Sequence, residues 1–522
     1  MMKMFSVAAV VACAAATMVQ AQEPVDRATI ARIREEGFQR SQVMTFAEYM
    51  TDVLGPRLTG SPGLRKAEQW ARTTMEGLGL VNATIEPWGE HGVGWTNVYT
   101  SLHLIEPTYQ PVIGYPLAFT PGTAGKVTGE AKIVSIGSEA DFAKYRGKLA
   151  GAIVLATPPG PVGPRFAADA ERFSVDQLRA QEHATIGAPT GIDGTEYRWD
   201  PVIKTYLPVG GASGWSGPSA VDILKFFKSE NVGVVLQAAP GQDGTVFVDG
   251  RPGSRQDRSY RGVITSPPMV AVAAEHYNRI YRVAAQGIPA RLEIEVRNAL
   301  DTSVTTADNV TAEIAGSDLK GQIVMLGGHF DSWHAATGAT DDAAGVAVAL
   351  EAMRILKAIG AKPRRTIRVG LWSFEEGGVV GSRTYVLRHF GSAAKPGPDY
   401  GKLAAYFNVD NGAGRIRGIH LHGNERVRSI FEAWLAPFAD LEATTITINN
   451  EFGVDALAFD QAGLPGFQFI QDPLDYETRT HHSNMDVFDR LPADDMRRNA
   501  VILASMVYLA ATRDEPLPRE GR

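Results

Sequence analysis

Beyond residue 309 the sequence alternates short runs rich in β-branched and aromatic residues with longer runs of helical period. Strands are expected at 309–314, 322–328, 366–374, 403–409 and 466–470, and helices at 342–359, 377–390, 426–438 and 493–511. Parallel neighbours need a crossover, and a helical crossover covers a sheet face. The pattern therefore predicts an α/β fold, a mostly parallel sheet flanked by helices. In such sheets, sites form where strands end.

The rest of the 522 residues exceeds one ordinary domain. Helical spacing is expected over 27–54 and 63–78, followed by strands near 83–88 and 95–104. From about 115 to 296 glycine and proline become dense and strands shorten, as in GAIVLAT at 151–157 and VGVVLQ at 232–237. A strand at 269–272, a helix at 276–286 and an alternating run at 291–296 close this region. The expected division is a discontinuous domain over 22–114 and 303–522, with a β-rich domain inserted at 115–302.

At the N-terminus Lys3 precedes an apolar stretch, 5–19, which ends in Val19-Gln20-Ala21. A charged start, an apolar middle and a small-residue site predict a signal peptide, 1–21, cleaved after Ala21, and hence a secreted or periplasmic protein. Fifteen apolar residues are short for a membrane span. Lipoprotein processing at Cys13 is the weaker alternative. Cys13 is the only cysteine, so the mature chain would have neither disulfides nor thiolate metal ligands. The formal charge of −7 is spread along the chain without a basic stripe, which argues against nucleic acid as a partner.

The chemistry-bearing groups sit where expected strands end. His329 and Asp331 are two apart, so they point to one side, and one could bind metal while the other orients it. Asp341 and Asp342 open the next helix. Acids there are ordinary caps, but this helix is apolar almost all round and so buried, which makes them better ligand candidates. Glu375 and Glu376 diverge as neighbours, which allows one to bind metal and the other to take a proton. Asp410 ends a strand in an ordinary Asp-Asn-Gly turn, and His481-His482 lies in a polar loop. Histidine plus carboxylate, without cysteine, is the donor set of a catalytic zinc site. Gly412, Gly414 and Gly418 hint at a dinucleotide loop, but the spacing is wrong and Arg415 and Arg417 intrude. No Gly-x-Ser-x-Gly elbow is present.

On HFD at 329–331, GATDD at 338–342, SFEEGG at 373–378, NVDNG at 408–412 and HHSNMD at 481–486, the chain resembles the M28 family of zinc peptidases, in particular its carboxypeptidase Q branch. LTGSPG at 58–63 and FGVD at 452–455 also match family segments. The insert resembles a protease-associated domain. The resemblance implies two zinc ions: His329 and Asp410 complete one site, Glu376 and His482 the other, and Asp341 bridges them. It makes Glu375 the general base and Asp331 the partner of His329. His482 fits better than His481 because it directly precedes Ser483. The implied activity is that of an exported exopeptidase acting on short peptides from either end, with homodimerisation left open. A glutaminyl-cyclase-like enzyme, a metal-dependent amidase and a binding protein on a peptidase scaffold are the alternatives.

Overall fold

The computed structural model describes residues 23–185, 197–200, 205–208, 217–248, 266–303 and 306–520. The expected signal peptide and Cys13 lie outside them. Among the described residues no helix is long and apolar enough to cross a membrane.

Two eight-stranded sheets dominate. The first contains β1 (Val81–Glu90), β2 (Thr306–Ile314), β3 (Ile323–His329), β4 (Thr366–Trp372), β5 (Leu403–Asn408), β6 (Ile416–His420), β7 (Thr445–Thr447) and β8 (Gly466–Gln471). Their order is β1-β2-β4-β3-β5-β8-β6-β7. The central four, β4, β3, β5 and β8, are mutually parallel, and β1, β2 and β6 join antiparallel. This is the expected α/β architecture, with antiparallel pairings added toward both edges.

Helix Ala344–Ala358 explains why the sheet needs two helical layers. It is buried at every position from Ala344 to Leu356, and it packs against Arg27–Gln39, Val43–Glu48 and Ala493–Thr512. The helix expected over 27–54 is broken, because the first helix ends at Gln39 and the next begins at Val43. Strand β6 was not expected. Arg417 and a glycine interrupt its apolar pattern and Arg415 precedes it, but Gly418 is there because a Cβ would meet the Thr445 carbonyl oxygen at 1.7 Å.

In the second sheet Gly94–Glu106 pairs along its length with Arg291–Asp301. Arg291–Asp301 also pairs with Val127–Ile133, which leads into parallel strands Ile153–Leu155, Val234–Ala238 and Met269–Val272. Strand pairing passes from one sheet to the other between Glu90 and Gly94, because a thirteen-residue strand finds its antiparallel partner there.

Helix Pro62–Gly77 buries Glu68, which is 3% exposed. Burial pushes its carboxyl up to about 9, and Asp308 and Asp331 add to the effect against Arg65. The folded chain therefore keeps a proton that the unfolded chain releases above its ordinary value. Stability contributed by this group is present below the unfolded pKa and declines as pH rises toward 9. Glu68→Gln should raise the melting temperature at pH 8 and leave it nearly unchanged at pH 4.5, with a gain bounded by about 1.4 kcal/mol per pH unit. Thermal unfolding at the two pH values checks this.

Candidate metal centre

The carboxyl ends of β3, β4 and β5 meet the start of helix Ala344–Ala358 and the loop after β8. His329 is the last residue of β3 and is 1% exposed. Its Nε2 lies 2.9 Å from Asp341 Oδ1 and 3.5 Å from Asp410 Oδ1. Its Nδ1 lies 2.9 Å from the Asp331 backbone oxygen, a contact that orients the ring. The Asp331 carboxylate is 3.6 Å from that nitrogen. Instead it accepts from Thr59 Oγ1 at 2.7 Å and from the Glu375 backbone N–H at 3.2 Å. Thr59 in turn accepts from the Phe374 N–H at 3.1 Å. Asp331 thus orients His329 through its main chain and steadies the Glu375 turn through its side chain.

The acid pair at the helix start divides its work. Asp342 Oδ1 accepts from the Gly345 N–H at 2.9 Å and caps the helix. A Cβ at Gly345 would meet Val409 O at 2.0 Å and both Asp342 oxygens at 2.5 Å, so only glycine lets the cap close. Asp341 turns the other way, between the two histidines. Its Oδ2 is 3.3 Å from His482 Nε2, and His482 Nε2 is 2.9 Å from Glu376 Oε2. His481 is less well placed: its Nε2 is 3.9 Å from Asp341, its Nδ1 faces Glu477 at 3.3 Å, and its ring stacks on Tyr476. His334 is 2.7 Å from the Pro116 carbonyl and outside the cluster. Trp333 forms a wall beside His482, with ring centroids 5.8 Å apart.

Two His-carboxylate groups therefore share Asp341: His329 with Asp410, and His482 with Glu376. The donor atoms of His329, Asp341 and Asp410 lie within 4.8 Å of one another. Asp341 Oδ2 and Glu376 Oε1 are buried without a hydrogen-bond partner. Buried carboxylate oxygens are costly to leave unpaired, and a cation satisfies them. The donors, all histidine nitrogen and carboxylate oxygen, suit zinc. Burial pushes the Glu375 and Glu376 carboxyls up, with neighbouring acids adding to the effect. Burial alone would lower His482, but Glu376 and Asp341 outweigh it and raise the ring. This is a charge pattern built for an added positive ion.

Arg57, Thr59 and Asp486 are functional surroundings that the sequence reading left without a role. Arg57 is fully buried behind the site and donates to Phe330 O, Thr337 O and Gly338 O at 2.8–2.9 Å. Asp486 accepts from the backbone N–H and hydroxyl of Thr340, at 2.5 and 2.8 Å, and fixes the residue before Asp341. Thr59 and Asp486 stand inside the motifs at 58–63 and 481–486, and Arg57 directly precedes the first. Asn309, which fits a glycosylation acceptor in sequence, is buried and donates to Gly381 O.

Residues 309–507 match the sequence model of peptidase family M28. The chain is 25% identical over 473 residues to human carboxypeptidase Q, covering 90% of this chain and 85% of that protein. It is 27% identical over 165 residues to leupeptin-inactivating enzyme 1 of Streptomyces exfoliatus, 31% of this chain and 36% of that one. The fold is shared with a peptidase M28 precursor from Shewanella amazonensis: TM-score 0.65, 23% identity, 95% and 99% of the two chains. It is also shared with a zinc aminopeptidase from Bacillus subtilis: TM-score 0.55, 15% identity, 92% and 97%.

Proposed function

We propose that this chain, which is similar to peptidase family M28 and to carboxypeptidase Q, is a zinc-dependent metallo-exopeptidase that uses two zinc ions and Glu375 as general base. The observation that carries this is the pair of His-carboxylate groups sharing Asp341, with unpartnered carboxylate oxygens on Asp341 and Glu376. His329 and Asp410 would hold one ion, Glu376 and His482 the other, with Asp341 between them. Zinc bound there supplies a Lewis acid and brings the pKa of water to about 7.

The chain's own residues then divide the remaining work. Glu375 takes a proton from the attacking water and passes it to the departing amine nitrogen. Burial raises its carboxyl, which strengthens it as a proton acceptor. Asp331 and Thr59 keep the Glu375 turn from drifting, since both bond to its backbone or to that of Phe374. Trp333 packs against one side of the His482 ring. Glu477, 3.3 Å from His481, and Glu451, whose carboxyl burial pushes up to about 7 beside Asn411, are acceptors that favour a substrate with a free ammonium group.

The proposal includes export through residues 1–21, and a lobe around the second sheet, resembling a protease-associated domain, that borders the cleft and limits substrates to short peptides. A single-metal cyclase fits less well, because two sets of ligands are present, and a binding scaffold would not need them. The amidase reading makes a different prediction in the same assay. Unblocked di- to hexapeptides, their N-acetylated forms and their C-terminal amides are incubated with zinc-loaded protein, and products are followed by mass spectrometry. Stepwise loss from free N-termini, abolished by acetylation, supports the reading. Cleavage of acetylated peptides from the C-terminus reverses the polarity. No cleavage of any peptide by protein that holds zinc would overturn it.

A further inference from the structure

The loop that carries His482 runs from the end of β8 to helix Ala493–Thr512, and segments belonging to the second sheet's part of the chain grip it at two places. On one side, Glu171 and Leu474 exchange backbone hydrogen bonds of 3.1 and 2.9 Å. Beside them Asp472, fully buried, accepts from Arg172 Nη1 at 2.9 Å, the Phe173 N–H at 3.0 Å, Arg415 Nε at 3.0 Å and Arg417 Nη1 at 2.8 Å. Arg172 also reaches Asp495 at 2.7 Å, tying the loop to the first turn of the last helix. Asp169 pairs with Arg479, and its carbonyl accepts from Thr478 Oγ1 at 2.9 Å. On the other side the Val248 N–H donates to the His482 carbonyl at 2.9 Å. Val246 N–H donates to Asn484 Oδ1 at 2.7 Å, and Asn484 N–H returns a bond to Val246 O at 3.1 Å.

His482 itself has a left-handed backbone, φ 58°. A non-glycine residue keeps that conformation only where its surroundings fix it. Among the described residues, the carbonyl of His482 is fixed from the second sheet's side, by Val248, and the approach to it from Leu474 to Arg479 is fixed by Glu171, Arg172 and Asp169. We infer that Asp169 and Arg172 are positioning residues for the metal ligand His482: the second lobe sets the geometry of one of the two metal sites through a buried ion-pair clasp centred on Asp472. The lobe is then part of the metal centre's support as well as a neighbour of the substrate. This rests on the assignment of His482 as a ligand made above.

Asp472 has its two oxygens filled by four donors, so Arg172→Gln loosens the clasp while Arg415 and Arg417 keep that carboxylate satisfied; Asp495 loses its arginine, and Asp169→Asn provides the variant that leaves both of those acids as they are. Partners that hold a ligand from behind typically change metal affinity by about 10–100-fold. The test follows release of zinc from the full-length protein under a graded chelator, for wild type, Arg172→Gln, Arg172→Lys, Asp169→Asn, Arg479→Gln, the Asp169→Asn/Arg479→Gln double variant and His482→Ala. We expect Arg172→Gln and Asp169→Asn to weaken one zinc and leave the other at wild-type affinity, with the same melting temperature for the metal-free proteins. Arg172→Lys should lie between, since an ammonium cannot span Asp472 and Asp495 as the guanidinium fork does. The double variant should cost no more than the worse single one, because both members act through one pair. Wild-type affinity at both sites in Arg172→Gln and Asp169→Asn, beside a His482→Ala that has lost one metal, would overturn the clasp alone. Equal weakening of both zincs with a lower metal-free melting temperature would also overturn it, by showing a general structural role. A His482→Ala that keeps both metals would overturn the ligand assignment and the clasp with it.

Discussion

Glu375→Gln is expected to lower kcat on unblocked peptides by roughly 10³–10⁴-fold, at the upper end of what a general base contributes, while the protein still folds and still binds zinc. The reason lies in the turn after β4. Phe374 has a left-handed backbone, φ 63°, which sends Glu375 and Glu376 in different directions. Glu376 meets His482 at 2.9 Å, and Glu375 makes no ion pair with either histidine among the described residues. Replacing its carboxylate by an amide keeps the shape and the backbone bond to Asp331 but removes the proton acceptor. KM should change little, since the group acts on the reacting water rather than on ground-state binding. Steady-state kinetics with zinc analysis of the same preparation checks it. A loss below about tenfold with zinc retained would assign the base elsewhere.

The largest effect on stability is expected from Arg57→Met. The side chain is completely buried, and its guanidinium makes three bonds of 2.8–2.9 Å to the carbonyls of Phe330, Thr337 and Gly338, with longer ones to Gly55 and Met50. Those carbonyls belong to the two loops that place Asp331 and Asp341. Methionine fills much of the space but donates nothing. An orphaned buried carbonyl costs about 1–3 kcal/mol, so three of them, partly relaxed, should cost on the order of 3–5 kcal/mol. The arginine is also the cation facing Asp486, Asp342, Asp331 and Asp341 from behind, and its loss leaves those acids less balanced. Urea unfolding of the metal-free protein should show a lower midpoint with an unchanged slope. A cost below about 1 kcal/mol would mean that the loops hold without it.

The sheet centre was legible because strands buried on both faces read as continuous apolar runs, as in 322–328 and 403–409, and because the helix at 344–358 is apolar almost all round. The candidate site was legible in part for a related reason: His329, Glu376 and Asp410 follow the ends of such runs, Asp341 opens the buried helix and His482 lies in a polar loop, and the fold brings these five side chains together. What could not be read was anything carried by the backbone or by distant pairs. The acceptor for His329 Nδ1 is a carbonyl, which has no sequence signature. Thr59 reaches Asp331 across 272 residues. Strand β6 was hidden by Arg415 and Arg417, whose charges are neutralised by an aspartate more than fifty residues later. The transfer of Gly94–Glu106 to the second sheet depends on its partner near residue 300, a non-local pairing that alternation alone does not reveal.

We propose two zinc ions between His329 and His482, with Asp341 common to both. Anomalous diffraction at the zinc edge, from crystals of zinc-loaded protein, measures this directly. Two peaks are predicted about 3.5–4 Å apart, one within ligand distance of His329 and Asp410, the other of Glu376 and His482, and both touching Asp341. A single peak, or a second peak on groups other than Glu376 and His482, would contradict the account.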